Sequence, residues 1–239
     1  MPQNLRTTVA TDITGPPQPT SASWLLKAGN DSENLRMTPI YRIIHIENLP
    51  KLLEWGCDWA PVRAKAQGLQ KKAIHHQDIM DKRERAAVCV PPGGVVADYV
   101  GFYFGPKSPM LYAIKQGKVE GYQGQREIIY LTATAEDIEA AKLPFAFTDG
   151  HAIISYVNHY NQLADLPKLN WNAIQAQYWN NLVDGRCRRQ AEFLIKDHFP
   201  LNLVREIGVM DEIARQKVAD LLEPTAFRPL IQVHREWYF

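Results

Sequence analysis

The feature that most constrains this chain is a carboxylate set in an apolar alternation, Gln190-Ala191-Glu192-Phe193-Leu194-Ile195. Read as a strand that starts at Arg188, the run turns Ala191, Phe193 and Ile195 to one face and Gln190, Glu192 and Leu194 to the other. Apolar partners on the first face anchor such a strand in a core. A carboxylate buried on the second face without a partner is costly, so Glu192 must be paired, wetted by a cleft, or engaged in chemistry. The polar loop 180–187 just before it is suited to carry a second reactant to the strand end.

The bulk numbers narrow the classes. A chain of 239 residues forms one large domain or two small ones. A net charge of +1 excludes a generally polycationic nucleic-acid binder, but not a local basic groove. Cys57, Cys89 and Cys187 are odd in number and far apart, which indicates neither a disulfide framework nor a zinc site. The sequence lacks an apolar run of the roughly 18 residues a membrane span needs, and its N-terminus does not read as a signal peptide. A reducing, cytoplasmic setting is expected, with no membrane and no metal.

Residues 1–36 read as an extension, rich in Thr, Pro, Ser, Asn and Gly, with Gly15-Pro16-Pro17-Gln18-Pro19 unable to hold regular structure. The domain proper is 37–239. Residues 40–46 alternate as a strand, and Asn48 is expected to cap a helix from Leu49 to Trp55 closed by Gly56. Arg42 and His45, near that strand's end, suit binding; on a bland reading they are surface and half-buried strand residues. The run 63–85 is locally basic, with a helix in its second half, and such runs are commonly solvated faces. His75 and His76 are neighbours that do not share a helix face, so they are not read as metal ligands.

Further strands are expected at 98–104, 127–132, at the end of 145–149, at 203–209 and at 229–233. Helices are expected at 135–141, 152–165, 171–179 and 211–222. Between them lie the Pro91-Pro92-Gly93-Gly94 turn and a polar loop over 116–125. The stretch from Gly105 to Tyr112 combines prolines, a cation, a hydroxyl, Met110 and aromatics. That mix suits a sugar-phosphate backbone with a stacking base, although Met110 and Leu111 also suit a core. Strands scattered among short helices without regular alternation give an α+β class.

Several blocks then occur together and in order: Tyr41 to Leu49, Arg83-Glu84-Arg85, Pro91 to Gly94, Asp98 to Tyr112, Phe147-Thr148-Asp149, and Gln190 to Leu194. In that order they resemble the DarT family of toxins, which transfer ADP-ribose from NAD onto bases of single-stranded DNA. The resemblance runs from about Thr38 to Trp237-Tyr238 and leaves out residues 1–36. It implies an ADP-ribosyltransferase fold, two small packed sheets around an NAD cleft with short helices about it. Glu192 then corresponds to the catalytic glutamate and Arg83 to the essential arginine. NAD contacts are expected from Tyr41, Arg42, Ile44, His45, Asn48, Leu49, Arg83 and Tyr103. Nucleic-acid contacts are expected from Arg85, Lys107, Ser108, Met110, His151, Arg186 and Arg188.

The chain departs from the family where a His and a Thr are common, carrying Arg42 and Ile44, and has Gly101 for a usual Pro and Lys107 for a usual Arg. Thymine and guanine both remain open as acceptor. The family further implies a monomer controlled by an antitoxin, of macrodomain or NADAR type, that removes the mark. An RNA 2′-phosphotransferase and a non-catalytic single-strand binder are the competing readings. Glu192 argues against the binder, because a carboxylate beside phosphates repels them.

The chemistry needs one carboxylate. Breaking the nicotinamide bond develops oxocarbenium character at the ribose, as in glycoside hydrolysis, but the leaving group is already a cation and needs no general acid. A single carboxylate can hold a ribose hydroxyl, stabilise the cation and accept the proton of the attacking nitrogen. Arg83 brings a planar cation able to grip phosphate bidentately. Tyr41, Tyr99 and Tyr103 are candidates to stack on nicotinamide, and equally good core residues.

Overall fold

Apolar alternation with a period of two becomes strands of one large sheet, and the carboxylate-bearing run lies among them. The computed structural model describes residues 37–72, 74, 77–119, 124–179 and 181–239. The expectations for residues 1–36, for His75-His76 and for the middle of the 116–125 loop lie outside the described residues. In chain order the elements are β1 (Pro39–His45), α1 (Leu49–Trp55), β2 (Cys57–Trp59), α2 (Pro61–Ala66), α3 (Gln77–Arg83), β3 (Tyr99–Tyr103), α4 (Pro109–Lys115), β4 (Ile128–Thr134) and α5 (Ala135–Ala140). Then follow β5 (Phe145–Thr148), β6 (His159–Tyr160), α6 (Trp171–Gln175), α7 (Gly185–Arg188), β7 (Glu192–Lys196), β8 (His198–Pro200), β9 (Glu206–Val209), α8 (Glu212–Leu222) and β10 (Leu230–Val233).

The large sheet runs β10-β9-β4-β1-β3-β7-β5-β6, and β2 pairs with β8 in a separate ribbon. Every pairing is antiparallel except β10 against β9. The α+β class stands, with the strands shared eight and two between the sheets.

β7 shows how the core fixes the site. Ala191, Phe193 and Ile195 enter the main core with Phe102, Phe147 and Phe199. The Phe193 ring stacks on Phe145 at 4.9 Å and on Phe147 at 6.2 Å between centroids. Each such ring contributes about 1.5–3 kcal/mol by leaving water. Leu194, on the opposite face, packs with Tyr99 and Ala146. Glu192 shares that opposite face, so two apolar clusters clamp the strand that carries it.

Four local expectations are corrected. Residues 152–158 form turns, not a helix, because the Asp149 carboxylate takes both the backbone N–H of Asn158 (2.9 Å) and its side-chain amide (2.8 Å), drawing the chain back. β6 and a 3₁₀ turn over Leu163–Lys168 complete that stretch. The helix expected over 171–179 ends at Gln175. The strand expected from Arg188 starts at Glu192, since Arg188 belongs to α7 and turns its guanidinium to Asp149 at 2.7 Å. Asn48 does not cap α1 through its side chain; instead its amide clasps the backbone of Lys72, accepting at 2.7 Å and donating at 2.8 Å. Gly56 closes α1 with φ of 70°, as its position requires. Among the described residues no helix is long and apolar enough to cross a membrane.

Candidate active site

Strand register brings the carboxylate to the edge of a cavity. β7 lies against β3 with Glu192 opposite Tyr103 and Leu194 opposite Gly101. The end of α3 supplies Arg83, whose Nη1 donates to Glu192 Oε2 at 2.8 Å. The other oxygen accepts the Ala152 N–H at 3.1 Å and stands 3.9 Å from His151 Nε2. The backbone of Glu192 is held as well, donating to Thr148 Oγ1 at 3.2 Å. The Glu192 side chain is only 4% exposed. Burial pushes its carboxyl up, but the Arg83 guanidinium, His151 and the Ala152 N–H outweigh that and hold it below the usual carboxylate range. Burial drives the His151 imidazole down, against the pull of Glu192, and so favours its neutral form.

Gly101 makes the room for this pair. A Cβ there would lie 3.0 Å from both Arg83 Nη2 and Glu192 Oε2.

A second ionic cluster lies on the same cavity. Arg42 Nε donates to Asp58 Oδ2 at 2.8 Å and its Nη1 to the Gly101 carbonyl at 3.0 Å. Lys71 Nζ reaches Asp58 Oδ1 and the Trp59 carbonyl, each at 2.5 Å. Asp58 is fully buried; desolvation raises its carboxyl, and the two cations more than reverse that, so it stays ionised.

The cavity holds about 940 Å³, at the upper end for ligand sites. Among the described residues its charged lining is seven cations (Arg42, Lys65, Lys71, Lys72, Arg83, Lys118 and Arg186) against three acids, Asp58, Asp184 and Glu192. A chain of net charge +1 thus concentrates positive charge at one concavity.

The structure sorts the residues expected from sequence. Arg42, Ile44, Asn48, Arg83, Tyr103, Met110, His151, Arg186 and Glu192 all line the cavity. Tyr103 is wedged beside Glu192, and burial followed by that carboxylate pushes its hydroxyl up to about 12. Tyr99 also lines the cavity, but its hydroxyl donates to the Gly93 carbonyl at 2.6 Å and Lys196 covers its ring.

Tyr41, His45 and Leu49 point elsewhere. Tyr41 packs edge-on against Trp237 (5.2 Å) and Tyr130 (6.3 Å), and Leu49 lies in the main core. His45 is buried, with Nδ1 accepting from the Glu47 N–H and Nε2 facing Glu127. Ser108 is likewise buried, and its hydroxyl caps α4 by accepting from the Leu111 N–H. Arg188 is taken up by Asp149 and Asp184. Arg85 is exposed away from the cavity, and Lys107 sits over the Phe239 ring.

Asp58 and Lys71 were not singled out from sequence. The signal was nonetheless present, since Cys57-Asp58-Trp59-Ala60 is a carboxylate in an apolar run, as around Glu192.

Comparison with known proteins identifies the family. The family model described as "ssDNA thymidine ADP-ribosyltransferase, DarT" matches residues 41–239. A Thermus sp. (strain 2.9) protein named DNA ADP-ribosyl transferase is 42% identical over 205 residues, covering 84% of this chain and 96% of that protein. An Escherichia coli O127:H6 protein of the same name is 32% identical over 213 residues, covering 87% and 96%. The solved Thermus sp. 2.9 DarT in complex with ADP-ribosylated ssDNA superposes with a TM-score of 0.81 at 41% identity, covering 84% of this chain and 96% of that one. The same protein in complex with NAD+ gives 0.77 at 40% identity, covering 84% and 98%. This chain therefore belongs to the DarT family of NAD-dependent DNA ADP-ribosyltransferases.

Proposed function

We propose that this chain breaks the nicotinamide–ribose bond of NAD and joins the ADP-ribose to thymine in single-stranded DNA, with Glu192 and Arg83 at the reacting centre. The observation that carries the reading is the buried Arg83–Glu192 pair, 2.8 Å apart, inside a cavity of otherwise surplus positive charge. The charge distribution orients the co-substrate. Asp58 with Arg42 and Lys71 leaves a net positive end suited to the dianionic pyrophosphate. Glu192 with Arg83 is locally neutral, and suits the ribose that bears the cationic ring.

As the C–N bond breaks, its electron pair passes to the pyridinium nitrogen and leaves neutral nicotinamide. Glu192 stabilises the oxocarbenium character that develops. The ring nitrogen of thymine not bonded to the sugar then attacks the ribose carbon, and its proton passes to the Glu192 carboxylate. That nitrogen lies on the pairing edge of the base, so the base must be unpaired. The choice of thymine follows the family description, and the two Thermus sp. 2.9 complexes support NAD and single-stranded DNA as reactants. Neutral His151, beside Glu192, is suited to face the arriving base.

The rest of the reading follows the family: residues 37–239 carry the activity, the protein works as a cytoplasmic monomer, and a cognate antitoxin with ADP-ribosyl hydrolase activity reverses the mark. The test is mass spectrometry of short oligonucleotides, each holding one kind of base, after incubation with NAD. One ADP-ribose on the thymine oligonucleotide alone is expected. Modification of guanine alone overturns the acceptor, and modification of none overturns the reading.

A further inference from the structure

Arg189 is a buried cation without a counter-charge. It is 7% exposed, and among the described residues no carboxylate pairs with it. Its Nε has no hydrogen-bond partner. Lys71, Arg83 and Arg188, by contrast, each meet a buried carboxylate. Burial lowers the pKa of Arg189 to about 10 against the pull of Tyr130, so it is still a cation at neutral pH. A charge taken out of water with no opposite charge beside it destabilises a fold, so packing alone does not account for an arginine here.

What Arg189 holds is backbone. Its own N–H donates to the Gly185 carbonyl at 2.9 Å, at the end of α7 and just ahead of β7. Its Nη2 donates to the Pro106 carbonyl at 2.5 Å, in the segment that joins β3 to α4. That segment includes Lys107 with φ of 58°, a left-handed conformation that a lysine does not favour by itself. The Lys107 N–H is held in turn, donating to the Tyr130 hydroxyl at 3.3 Å. From there Pro109, Met110 and Ala113 of α4 line the cavity, while Arg189 itself does not.

We propose that Arg189 is a positioning residue for the transfer reaction: it fixes Glu192 and the α4 wall of the cavity relative to one another, acting through β7 and the Pro106 carbonyl. The inference rests on Glu192 as the group that acts at the ribose. A methionine would fill much of the same space without a charge. It would also leave the Pro106 carbonyl without this donor and the segment before α4 free to shift.

The test compares Arg189→Met and Arg189→Lys with wild type in melting temperature and in kinetics on a thymine oligonucleotide. For Arg189→Met the melting temperature is expected to be unchanged or raised, because an unpaired charge leaves the interior. Its turnover should fall about tenfold or more, as for a misplaced reacting group. The Michaelis constant for NAD should stay as it is, since Asp58 and Arg42 stand on β2 and β1. Lysine offers the carbonyl a point charge in place of a planar fork, so Arg189→Lys should turn over at a rate between the two. A lowered melting temperature with wild-type turnover of the folded protein marks Arg189 as structural and overturns the proposal. So does a loss confined to the Michaelis constant for NAD. If Arg189→Met does not fold, the lysine variant decides: slower turnover at an unchanged constant supports the proposal, and wild-type turnover overturns it. The isotope-labelled methyl signal of Met110, read by NMR without NAD or DNA, separates this idea from the reaction. It should move in Arg189→Met and return toward its wild-type position in Arg189→Lys. If wild type modifies no base, the reading of Glu192 fails, and this signal still decides the role of Arg189: a shift supports it and an unmoved signal overturns it.

Discussion

The two ends of the cavity each carry a buried carboxylate, and they are built differently. Asp58 meets two cations, at 2.8 and 2.5 Å, and lies wholly out of water. Glu192 meets one cation at 2.8 Å, a backbone N–H, and a neutral imidazole at 3.9 Å. The first cluster keeps a net positive charge and has its acid tied to protein groups that fix Arg42 and Lys71. The second is balanced, and its acid lines the cavity with lone-pair capacity left for a ribose hydroxyl or a proton. One carboxylate is thus taken up by protein cations, while the other keeps capacity toward the cavity.

The largest expected effect breaks the chemical end. Glu192→Gln keeps shape and hydrogen-bonding oxygen but removes the charge and the base. Transfer should fall by about 10²–10³ or more, with NAD binding retained. Oligonucleotide modification followed by mass spectrometry checks this, and a rate within a few-fold of wild type would take Glu192 out of the mechanism.

Asp58→Asn should show the opposite signature. Two cations lose their shared counter-charge, and the loss of stability should be about 2–4 kcal/mol, below the range for a fully buried pair because both cations reach some solvent. The folded carboxyl is held below its ordinary value. Its stabilising contribution is thus present above about pH 4, the unfolded value, and is lost as pH falls through the lower folded value. The variant should lack that acid limb in chemical denaturation and show a raised Michaelis constant for NAD. A variant of wild-type stability that has lost only turnover would reverse the assignment of the two ends.

This contrast also shows what the sequence could disclose. Glu192 was legible because the alternation around it spans six residues, and Arg83 because it sits in a matched block. Asp58 gave the same kind of signal in a strand of only three residues, too short for a period to register. Its partner Lys71 lies 13 residues away, beyond α2, and only the tertiary fold brings the two together. Ser108 was misjudged because a hydroxyl before Pro109 reads equally as a phosphate contact or a helix cap, and packing decided for the cap. The non-helical stretch after His151 depends on Asp149 reaching Asn158, a side-chain contact that local propensity does not encode.

A smaller effect sharpens the geometry between the ends, where Gly101 touches both. Its carbonyl accepts from Arg42, and a Cβ would crowd Arg83 and Glu192 at 3.0 Å each. Gly101→Ala need not strain a β-strand backbone, so the melting temperature should be unchanged or raised. Both charged groups must shift by a few tenths of an ångström, and turnover should fall about tenfold, as for a misplaced reacting group. Unaltered turnover would mean that the Arg83–Glu192 distance is not critical.

The smallest effect concerns pH and belongs to one end only. Among the described residues lining the cavity His151 is the one histidine, and it stands by Glu192, not by Asp58. Burial lowers its folded pKa, with Arg83, Arg186 and Lys82 adding to that and Glu192 opposing it. As pH falls below about 6.5, the unfolded value, the unfolded chain binds a proton that the folded chain refuses, and stability declines until the folded pKa is passed. His151→Gln removes that proton from the balance. Its stability should fall less steeply than wild type between about pH 6.5 and 5, and the two should run parallel above that. His45 and His159 share the same direction of shift, so the difference between variant and wild type isolates His151. Denaturant melts across that pH range check it. Equal slopes would show that His151 takes its proton as readily folded as unfolded, so that the ring beside Glu192 would become an imidazolium below about pH 6.5.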